Sequence, residues 1–403
     1  MPDYSRDVYV HEGTVQVRPL GRKGLARPIP PGECAITALV LGPMGRIYGG
    51  TCGRRAHLFR YDPGPVGDCV MRIGPVGEER AVTGLVVHDK FIYGATGRVE
   101  PPPPPRPADM PGMVTQPPAP ESVRGWLFRY DTSRDSVGDY GYGRSPIEML
   151  CEPLDGEPIA GIAIDAARER VYGIGAKSGV FFSYDLTGGQ VTKVGAATEA
   201  GAVSSPLIVT DSAVYGVVEQ GRVFRYDQNT GALERLEVFI PSLAGLELYN
   251  RLHSAAADPV TGVVYGGTND GLLFSMNADG LSFIVLGKPV AQPGMPALTV
   301  AHDGRVFGIG GDKGGMAHLF CYDPSTRDLR DLGIPMATSE RYWHGYEFGT
   351  AVTGRFGEIY LGESDRVSHL FIYHPAVRQR RAGCAASHSS DDEETRLPAR
   401  SGG

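Results

Sequence analysis

Two short runs of the chain concentrate side chains that could transfer protons or bind a charged small molecule. They are residues 246–253 (LELYNRLH) and 339–347 (SERYWHGYE). Histidine titrates near neutral pH, tyrosine can supply the complementary proton, and arginine recognises carboxylate or phosphate. The acid/base candidates are His253, His344 and Tyr346. The candidates for binding a substrate are Tyr249, Arg251, Arg341, Tyr342, Trp343 and Glu347.

The chemistry that these residue types suit is removal of a proton next to a carboxylate. An arginine beside that carboxylate would stabilise the enolate that elimination or epimerisation requires. A rim of amphipathic residues that only fills the wide end of a fold would have a similar composition, so both interpretations stay open. Further charged residues expected on the same face are Arg80, Glu157, Asp312, Lys313, Glu363, Asp365 and Arg366.

Three histidines recur at one position of a sequence repeat, at His57, His318 and His369. Ligands of one zinc ion must lie about 2.0–2.1 Å from it. The repeat places these histidines on third strands, which lie about 10 Å outside the channel wall and diverge from one another. We therefore predict a structural role, with each imidazole bonded to a neighbouring group, and no metal site. The sequence contains no Gly-x-Ser-x-Gly, phosphate-binding glycine loop, His-Glu-x-x-His or paired-cysteine motif. The cofactor, if there is one, is therefore unknown from the sequence.

The elements that position the two runs belong to a repeat of two short phrases. One phrase ends in Tyr-Asp, as in residues 56–62 (AHLFRYD) and 125–131 (GWLFRYD). The other, an apolar residue followed by Tyr-Gly, precedes each copy and gives the repeat a spacing of about 40 to 50 residues, which is typical of propeller blades. A longer gap holds a proline-rich insertion at 99–124. The aromatic residues of the second phrase are Tyr48, Tyr93, Tyr172, Tyr215, Tyr265, Phe307 and Tyr360.

Each of the seven units is predicted to contain four short strands separated by turns. Residues 14–21 resemble the fourth strand of a unit that has no beginning, whereas the last unit has no fourth strand after Tyr373. We therefore predict that the N-terminal strand completes the last unit and closes a ring, which removes exposed sheet edges. The Asp of the Tyr-Asp phrase is expected to cap the following turn.

The first strand of each unit is expected to line a central channel, where seven bulky side chains would collide. Both candidate runs lead directly into such strands, in units five and seven, so their side chains are expected to face each other across the channel opening. Counting back from the aromatic residues predicts a ring of small residues at Thr37, Thr83, Gly161, Ser205, Ser254, Ala297 and Gly349.

The repeats over residues 14–375 resemble the seven-bladed β-propeller superfamily, without the Gly-His and Trp-Asp marks of WD40 repeats. The resemblance implies an all-β fold, a single seven-bladed β-propeller with four-stranded blades. Virginiamycin B lyase and several polysaccharide lyases are built on similar rings and use His, Tyr and Arg on one face to abstract an acidic proton. Because no motif of theirs aligns residue by residue, this likeness is one of fold.

The flanking segments and the charge complete the prediction. Residues 1–13 form an N-terminal extension, and 376–403 a disordered tail with the acidic stretch 391–394. The insertion at 99–124 is either a passive excursion or a flap over the upper face. The net charge of −7 argues against a nucleic-acid partner. No spanning helix or secretory signal is found, and the scattered cysteines favour a reducing, cytoplasmic setting.

Two functions remain open. The first is a lyase or epimerase-type enzyme that acts on a small-molecule or oligosaccharide ligand at the channel mouth. The second is a non-catalytic protein-interaction scaffold, with the proline-rich loop as one of its contacts. Converging ionisable groups with perturbed pKa values at the mouth would favour the first, and a contiguous apolar patch would favour the second.

Overall fold

The computed structural model describes residues 8–10, 12–20, 28–63, 70–97, 124–136, 146–199, 203–277, 281–311, 316–337, 343–365 and 367–376. The proline-rich stretch and the C-terminal tail predicted from the sequence fall almost wholly outside these ranges. So do five residues expected on the upper face, which are Asp312, Lys313, Arg341, Tyr342 and Arg366.

The described residues form seven four-stranded antiparallel sheets, and the chain is a seven-bladed β-propeller. After β1 (Thr14–Pro19), blades 1 to 3 follow in chain order, each with its first strand innermost. Blade 1 contains β2 (Ala35–Leu41), β3 (Ile47–Cys52), β4 (His57–Tyr61) and β5 (Val70–Pro75). Blade 2 contains β6 (Val82–His88), β7 (Phe91–Thr96), β8 (Leu127–Asp131) and β9 (Ile147–Cys151). Blade 3 contains β10 (Ile159–Asp165), β11 (Arg170–Gly175), β12 (Val180–Asp185) and β13 (Val191–Ala196).

The remaining blades follow the same order. Blade 4 contains β14 (Val203–Val209), β15 (Ala213–Val218), β16 (Arg222–Asp227) and β17 (Leu233–Phe239). Blade 5 contains β18 (Leu252–Ala257), β19 (Val264–Thr268), β20 (Leu273–Asn277) and β21 (Ser282–Gly287). Blade 6 contains β22 (Ala297–Val300), β23 (Val306–Gly310), β24 (His318–Asp323) and β25 (Asp328–Gly333). A small hairpin of β26 (Met336–Ala337) and β27 (Trp343–His344) precedes the strands of blade 7, which are β28 (Phe348–Thr353), β29 (Ile359–Glu363) and β30 (His369–His374).

Short connections complete the described fold. Four 3₁₀ helices span Pro43–Gly45, Thr132–Ser136, Glu219–Gly221 and Glu247–Tyr249. No helix among the described residues is long and apolar enough to cross a lipid bilayer. The first strands of neighbouring blades contact one another around the ring, including β28 of blade 7 with β2 of blade 1.

The N-terminal strand closes the ring, as the sequence predicted. Strand β1 pairs antiparallel with β30, from Thr14 opposite His374 to Pro19 opposite His369. The segment before β1 is also anchored: Tyr9 forms a parallel bridge with Ile334, and the Val10 N–H donates to the Ile334 carbonyl at 3.1 Å. The N-terminal extension therefore contacts the end of blade 6 as well as completing blade 7.

The two sequence phrases are coupled by packing between the second and third strands. A Cβ atom at Gly49 would lie 2.1 Å from Cζ of Phe59, so glycine is required beside this buried ring. The same close approach joins the Tyr-Gly glycine of blades 2 to 6 to the phenylalanine of its own third strand. In the turn after the Tyr-Asp phrase, Asp185 accepts hydrogen bonds from the backbone N–H groups of Thr187 and Gly188, which confirms its predicted capping role.

Candidate functional site

The upper face of the propeller consists of the loops between second and third strands and the loops that lead from one blade into the next. Both candidate runs lie on loops of this second kind. Arg80, Glu157 and Asp365 also lie on upper-face connections, and Glu363 ends the second strand of blade 7. The topology therefore gathers the described candidates on one face, as the sequence predicted.

A strand irregularity defines the upper end of the channel wall. In five blades the pairing between first and second strands skips one residue of the first strand. Four of these skipped residues have small side chains, and the fifth is a histidine. In chain order they are Thr37, Thr83, Ala160, His253 and Gly349.

In two blades the skipped residue differs from the small residue that was predicted by counting. In blade 5, Leu252 pairs with Thr268 and Ser254 pairs with Gly267, so His253 rather than Ser254 holds the skipped position. In blade 3 the skipped residue is Ala160 rather than Gly161. A one-residue bulge is invisible to a repeat count, because the spacing between aromatic residues is unchanged by it.

In two blades the side chain at this position forms a hydrogen bond with the next blade. In blade 1 the Thr37 hydroxyl donates to the carbonyl of Val82, in blade 2, at 2.6 Å. In blade 5 the Nδ1 atom of His253 accepts a hydrogen bond from the backbone N–H of Met295, just before blade 6, at 3.1 Å. Because Nδ1 is an acceptor, the neutral imidazole carries its proton on Nε2. In this tautomer the Nε2–H group can donate a hydrogen bond.

The rest of the first run is held through its backbone. The Asn269 side chain donates to the Tyr249 carbonyl at 2.9 Å and accepts from the Arg251 N–H at 2.8 Å. Asn250 is buried and donates to the carbonyls of Ile240 and Pro241. The Tyr249 side chain remains 72% exposed, and Arg251 is also exposed. These two candidate side chains are therefore accessible to a ligand.

The second run packs against blade 7 and the N-terminal segment. The Trp343 Nε1–H lies 3.2 Å from both carboxylate oxygens of Glu363, and its ring centroid lies 4.0 Å from that of His369. The His344 ring contacts Tyr9 at 5.2 Å, while Tyr346 is half exposed. Trp343 therefore has structural contacts in addition to the stacking role that the sequence suggested.

Different blades position the two runs. The Glu347 carbonyl accepts from the N–H of Ser364 in blade 7, whereas Asn269, which holds the first run, belongs to blade 5. Their approach across the channel opening remains a prediction, as do the roles of His253, His344 and Tyr346.

A buried carboxylate lies directly beneath the second run. Glu363 is fully buried, and its Oε2 atom accepts hydrogen bonds from both the backbone N–H and Nδ1 of His369, each at 2.9 Å. Burial raises the pKa of Glu363 to about 7, while the hydrogen bonds from His369 and Trp343 act in the opposite direction. The sequence placed Glu363 on this face without singling it out, since its partners come from a separate hairpin and a separate strand.

The three repeat histidines each have a carboxylate partner of their own. His57 Nε2 lies 2.8 Å from Glu33, and His318 Nδ1 lies 2.8 Å from Asp331. The third, His369, pairs with Glu363 as described above. The imidazoles thus bond neighbouring groups as predicted. Within the described part of the chain, no three His, Cys, Asp or Glu residues are grouped so as to hold a metal ion.

A small buried void and a surface cleft lie away from these candidates. One, between blades 4 and 5, is lined almost entirely by apolar residues that include Val217, Leu252 and Phe274. The other opens on the lower face, where Arg168 is paired with Asp165 at 2.9 Å and donates to the Asp211 carbonyl. Because the first lacks polar groups and the second has its charges paired within the protein, neither displaces the upper face as the candidate site.

Comparisons with known proteins identify the fold alone. No protein-family model matches the chain, and no curated protein matches it. Among solved structures, it is similar to the extracellular domain of the hybrid two-component system BT4673 from B. thetaiotaomicron, with a TM-score of 0.59 and 13% identity over 91% of this chain and 40% of that one. A second structure, described as the extracellular domain of the one-component system BT4673, gives a TM-score of 0.58 and 13% identity over 89% of this chain. The chain spans about two fifths of the length of each.

Proposed function

We propose that this propeller binds a carboxylate-bearing or sugar-like small molecule at the upper mouth of its channel and transfers a proton there, in a lyase- or epimerase-type reaction. The observation that carries the proposal is the position of His253. Among the described skipped positions of the first strands, it is the one with an ionisable side chain. The adjacent Ser254 hydroxyl also links blade 5 to blade 6, because it donates to the Met295 carbonyl at 2.6 Å, so a histidine is not required for the link between blades.

The neighbouring side chains have complementary roles in this proposal. Arg251 and Arg341 neutralise the ligand carboxylate, and Tyr249 and Tyr342 contact the ligand body. His253 donates a proton from Nε2, while His344 or Tyr346 completes the acid/base set from the other side of the opening. Glu347 binds a ligand hydroxyl, and Trp343 contributes the edge of its ring. Pairing of the arginine with the carboxylate would stabilise the developing enolate.

A second candidate function is a protein-interaction scaffold. The observation that favours it is a set of exposed apolar side chains within the first run: Leu246 is 42%, Leu248 70% and Tyr249 72% exposed. Adjacent exposed apolar groups on a loop are typical of protein contact sites. In this alternative the same upper face binds a peptide, and the proline-rich stretch 99–124 supplies a further contact.

We retain the cytoplasmic setting as part of the proposal. Support comes from Cys151 and Cys321, which are free thiols in the described structure. The extracellular location of the BT4673 domains is a property of those proteins.

The test is a thermal-shift screen of carboxylates, uronates and neutral sugars, followed by turnover assays with any compound that raises Tm. His253→Ala and His344→Ala should each abolish turnover and weaken binding. His374→Ala is a matched control, because His374 is exposed at the lower end of the last blade. Wild-type binding and turnover in both site variants would exclude the site and leave the scaffold as the better function.

A further inference from the structure

Glu363 breaks a structural pattern that threonine provides in other blades. Thr96 and Thr268 end their second strands, and Thr51 is the last residue but one of its own. Each pairs with an apolar residue near the start of the first strand. Each hydroxyl accepts a hydrogen bond from the backbone N–H at the start of the third strand, at 2.9 to 3.0 Å. Glu363 pairs with Phe348 and makes the same contact to the His369 N–H.

A carboxylate is therefore not needed for the backbone contact alone. A threonine hydroxyl accepts this N–H without placing a charge in the interior, and burial of a carboxylate costs free energy unless it gains further partners. The partners that Glu363 gains are the Nδ1–H of His369 and the Nε1–H of Trp343. Its additional effect is thus to fix the orientation and protonation of one imidazole ring.

This contact gives the two ring nitrogens of His369 different protonation states. Nδ1 carries a proton that it donates to Glu363, so the neutral ring has its lone pair on Nε2. The His369 side chain is 10% exposed, against 4% for that of His57, and no described residue forms a hydrogen bond with His369 Nε2. His57 stands at the same repeat position with the opposite arrangement: its Nε2 bonds Glu33, and its Nδ1 is buried without a partner among the described residues.

We infer that Glu363 and His369 form a proton-accepting carboxylate–imidazole pair, in which His369 Nε2 removes a proton from an acidic C–H or O–H group of a ligand on the upper face. This rests on the proposed function, because it requires a ligand there, and it assigns the base that complements the donor His253. Glu363 is the positioning residue of the pair.

The proton and charge balance of the step involves these groups alone. The C–H or O–H bond of the ligand breaks, its electron pair stays on the ligand, and a new N–H bond forms at His369 Nε2. The imidazolium that results is stabilised by the Glu363 carboxylate at 2.9 Å and by the Trp343 ring, whose centroid lies 4.0 Å away. Asp365 adds negative charge nearby. The proton passes to water after the product leaves.

The inference can be tested on the full chain without a ligand. Diethyl pyrocarbonate acylates an unprotonated, accessible imidazole nitrogen, and peptide mass spectrometry reads each histidine separately. At about pH 8, His369 should react about tenfold faster than His57, which serves as an internal control. Long-range ¹H–¹⁵N spectra should show His369 protonated on Nδ1.

Glu363→Thr is the matched variant, since threonine holds the equivalent position in three other blades; Glu363→Gln is a second variant of nearly unchanged volume. Loss of the charged partner should move the His369 proton toward Nε2 and lower its acylation rate by about tenfold, equivalent to ~1.4 kcal/mol of tautomer preference. An Nε2-protonated His369 in the wild-type protein, or a rate as low as that of His57, would overturn the inference. A ligand screen that fails while these results hold would instead count against the proposed function.

Discussion

Tyr48 of blade 1 donates a hydrogen bond to the carboxylate of Asp135, which belongs to blade 2. Tyr130 donates to the other oxygen of the same carboxylate at 2.6 Å. Arg46 and Arg60 lie 3.2 and 2.8 Å from it. The Asp135 side chain is only 1% exposed, and burial together with this carboxylate raises the pKa of Tyr48. A single buried acid therefore joins two blades on the lower side of the ring.

Replacement of Asp135 should be among the most destabilising single changes in the chain. Asp135→Ala leaves two arginines and two tyrosines without their buried partner, and we expect a loss of about 3–5 kcal/mol in unfolding free energy. Urea denaturation followed by tryptophan fluorescence measures it. Asp185→Ala, which removes an exposed turn cap, should cause a much smaller loss. Equal losses in the two variants would show that the cluster adds nothing beyond an ordinary turn contact.

Removal of residues 1–21 should destabilise the whole propeller. The deletion exposes the edge of β30 and removes the Val8–Val10 contacts with Ile334. We expect a lower Tm and a less cooperative transition by calorimetry. Deletion of residues 1–7, which keeps both contacts, is the control and should melt like the full chain. A longer deletion that melts like the full chain would show that pairing of β1 with β30 does not stabilise the ring.

The stability of Glu363→Thr relative to wild type should depend on pH. The pKa of Glu363 is raised from 4.5 to about 7 in the folded protein, so the folded state binds this proton more tightly than the unfolded state. Stability from this group is therefore present at low pH and lost as pH rises through about 7. Glu363→Thr has no carboxyl group at this position, so its stability does not fall for this reason as pH rises.

Between about pH 5 and pH 8, the difference in unfolding free energy should shift in favour of Glu363→Thr by about 2 kcal/mol. Denaturant titrations at the two pH values measure the shift. Glu234→Gln, an exposed carboxylate of blade 4, is the control and should give no shift. A constant difference across this range would mean that Glu363 ionises at its ordinary pKa.

His253 should contribute to stability as well as to ligand binding. His253→Ala leaves the Met295 N–H without its acceptor and should cost about 1–2 kcal/mol. His253→Asn can restore an acceptor oxygen, so its Tm should lie closer to wild type while any turnover is still lost. Thermal melts and the ligand assay together separate the two contributions. Full turnover in the asparagine variant would exclude His253 as a proton donor.

The fold could be predicted from the sequence because its determinants are periodic. The Tyr-Gly phrase recurs since a glycine must lie under the third-strand phenylalanine, and the spacing of the phrase fixes the number of blades. Residues 14–21 resemble a fourth strand without a blade, and the last blade lacks a fourth strand after Tyr373. Because an exposed sheet edge is unfavourable, the N-terminal strand was expected to pair with the last blade, and it does.

The site was less predictable, because its features are departures from that period. The bulge at His253 shifts strand pairing by one residue and leaves the repeat spacing unchanged. The partners of Glu363 are contributed by β27 and β30, and Tyr9 reaches His344 from the far N-terminus. Such contacts depend on loop paths that residue types and spacing do not determine.

Closure by the first strand also sets the order in which the molecule can be completed during synthesis. Among the described strands, β1 leaves the ribosome first and its partner β30 leaves last, and Thr14 and His374 are separated by about 360 residues of chain. The intervening blades can pair within themselves as they emerge, whereas β1 must wait until β30 has been made. A chain that terminates early therefore carries two unsatisfied strand edges, which exposes it to proteolysis and aggregation in a way that a finished ring is not.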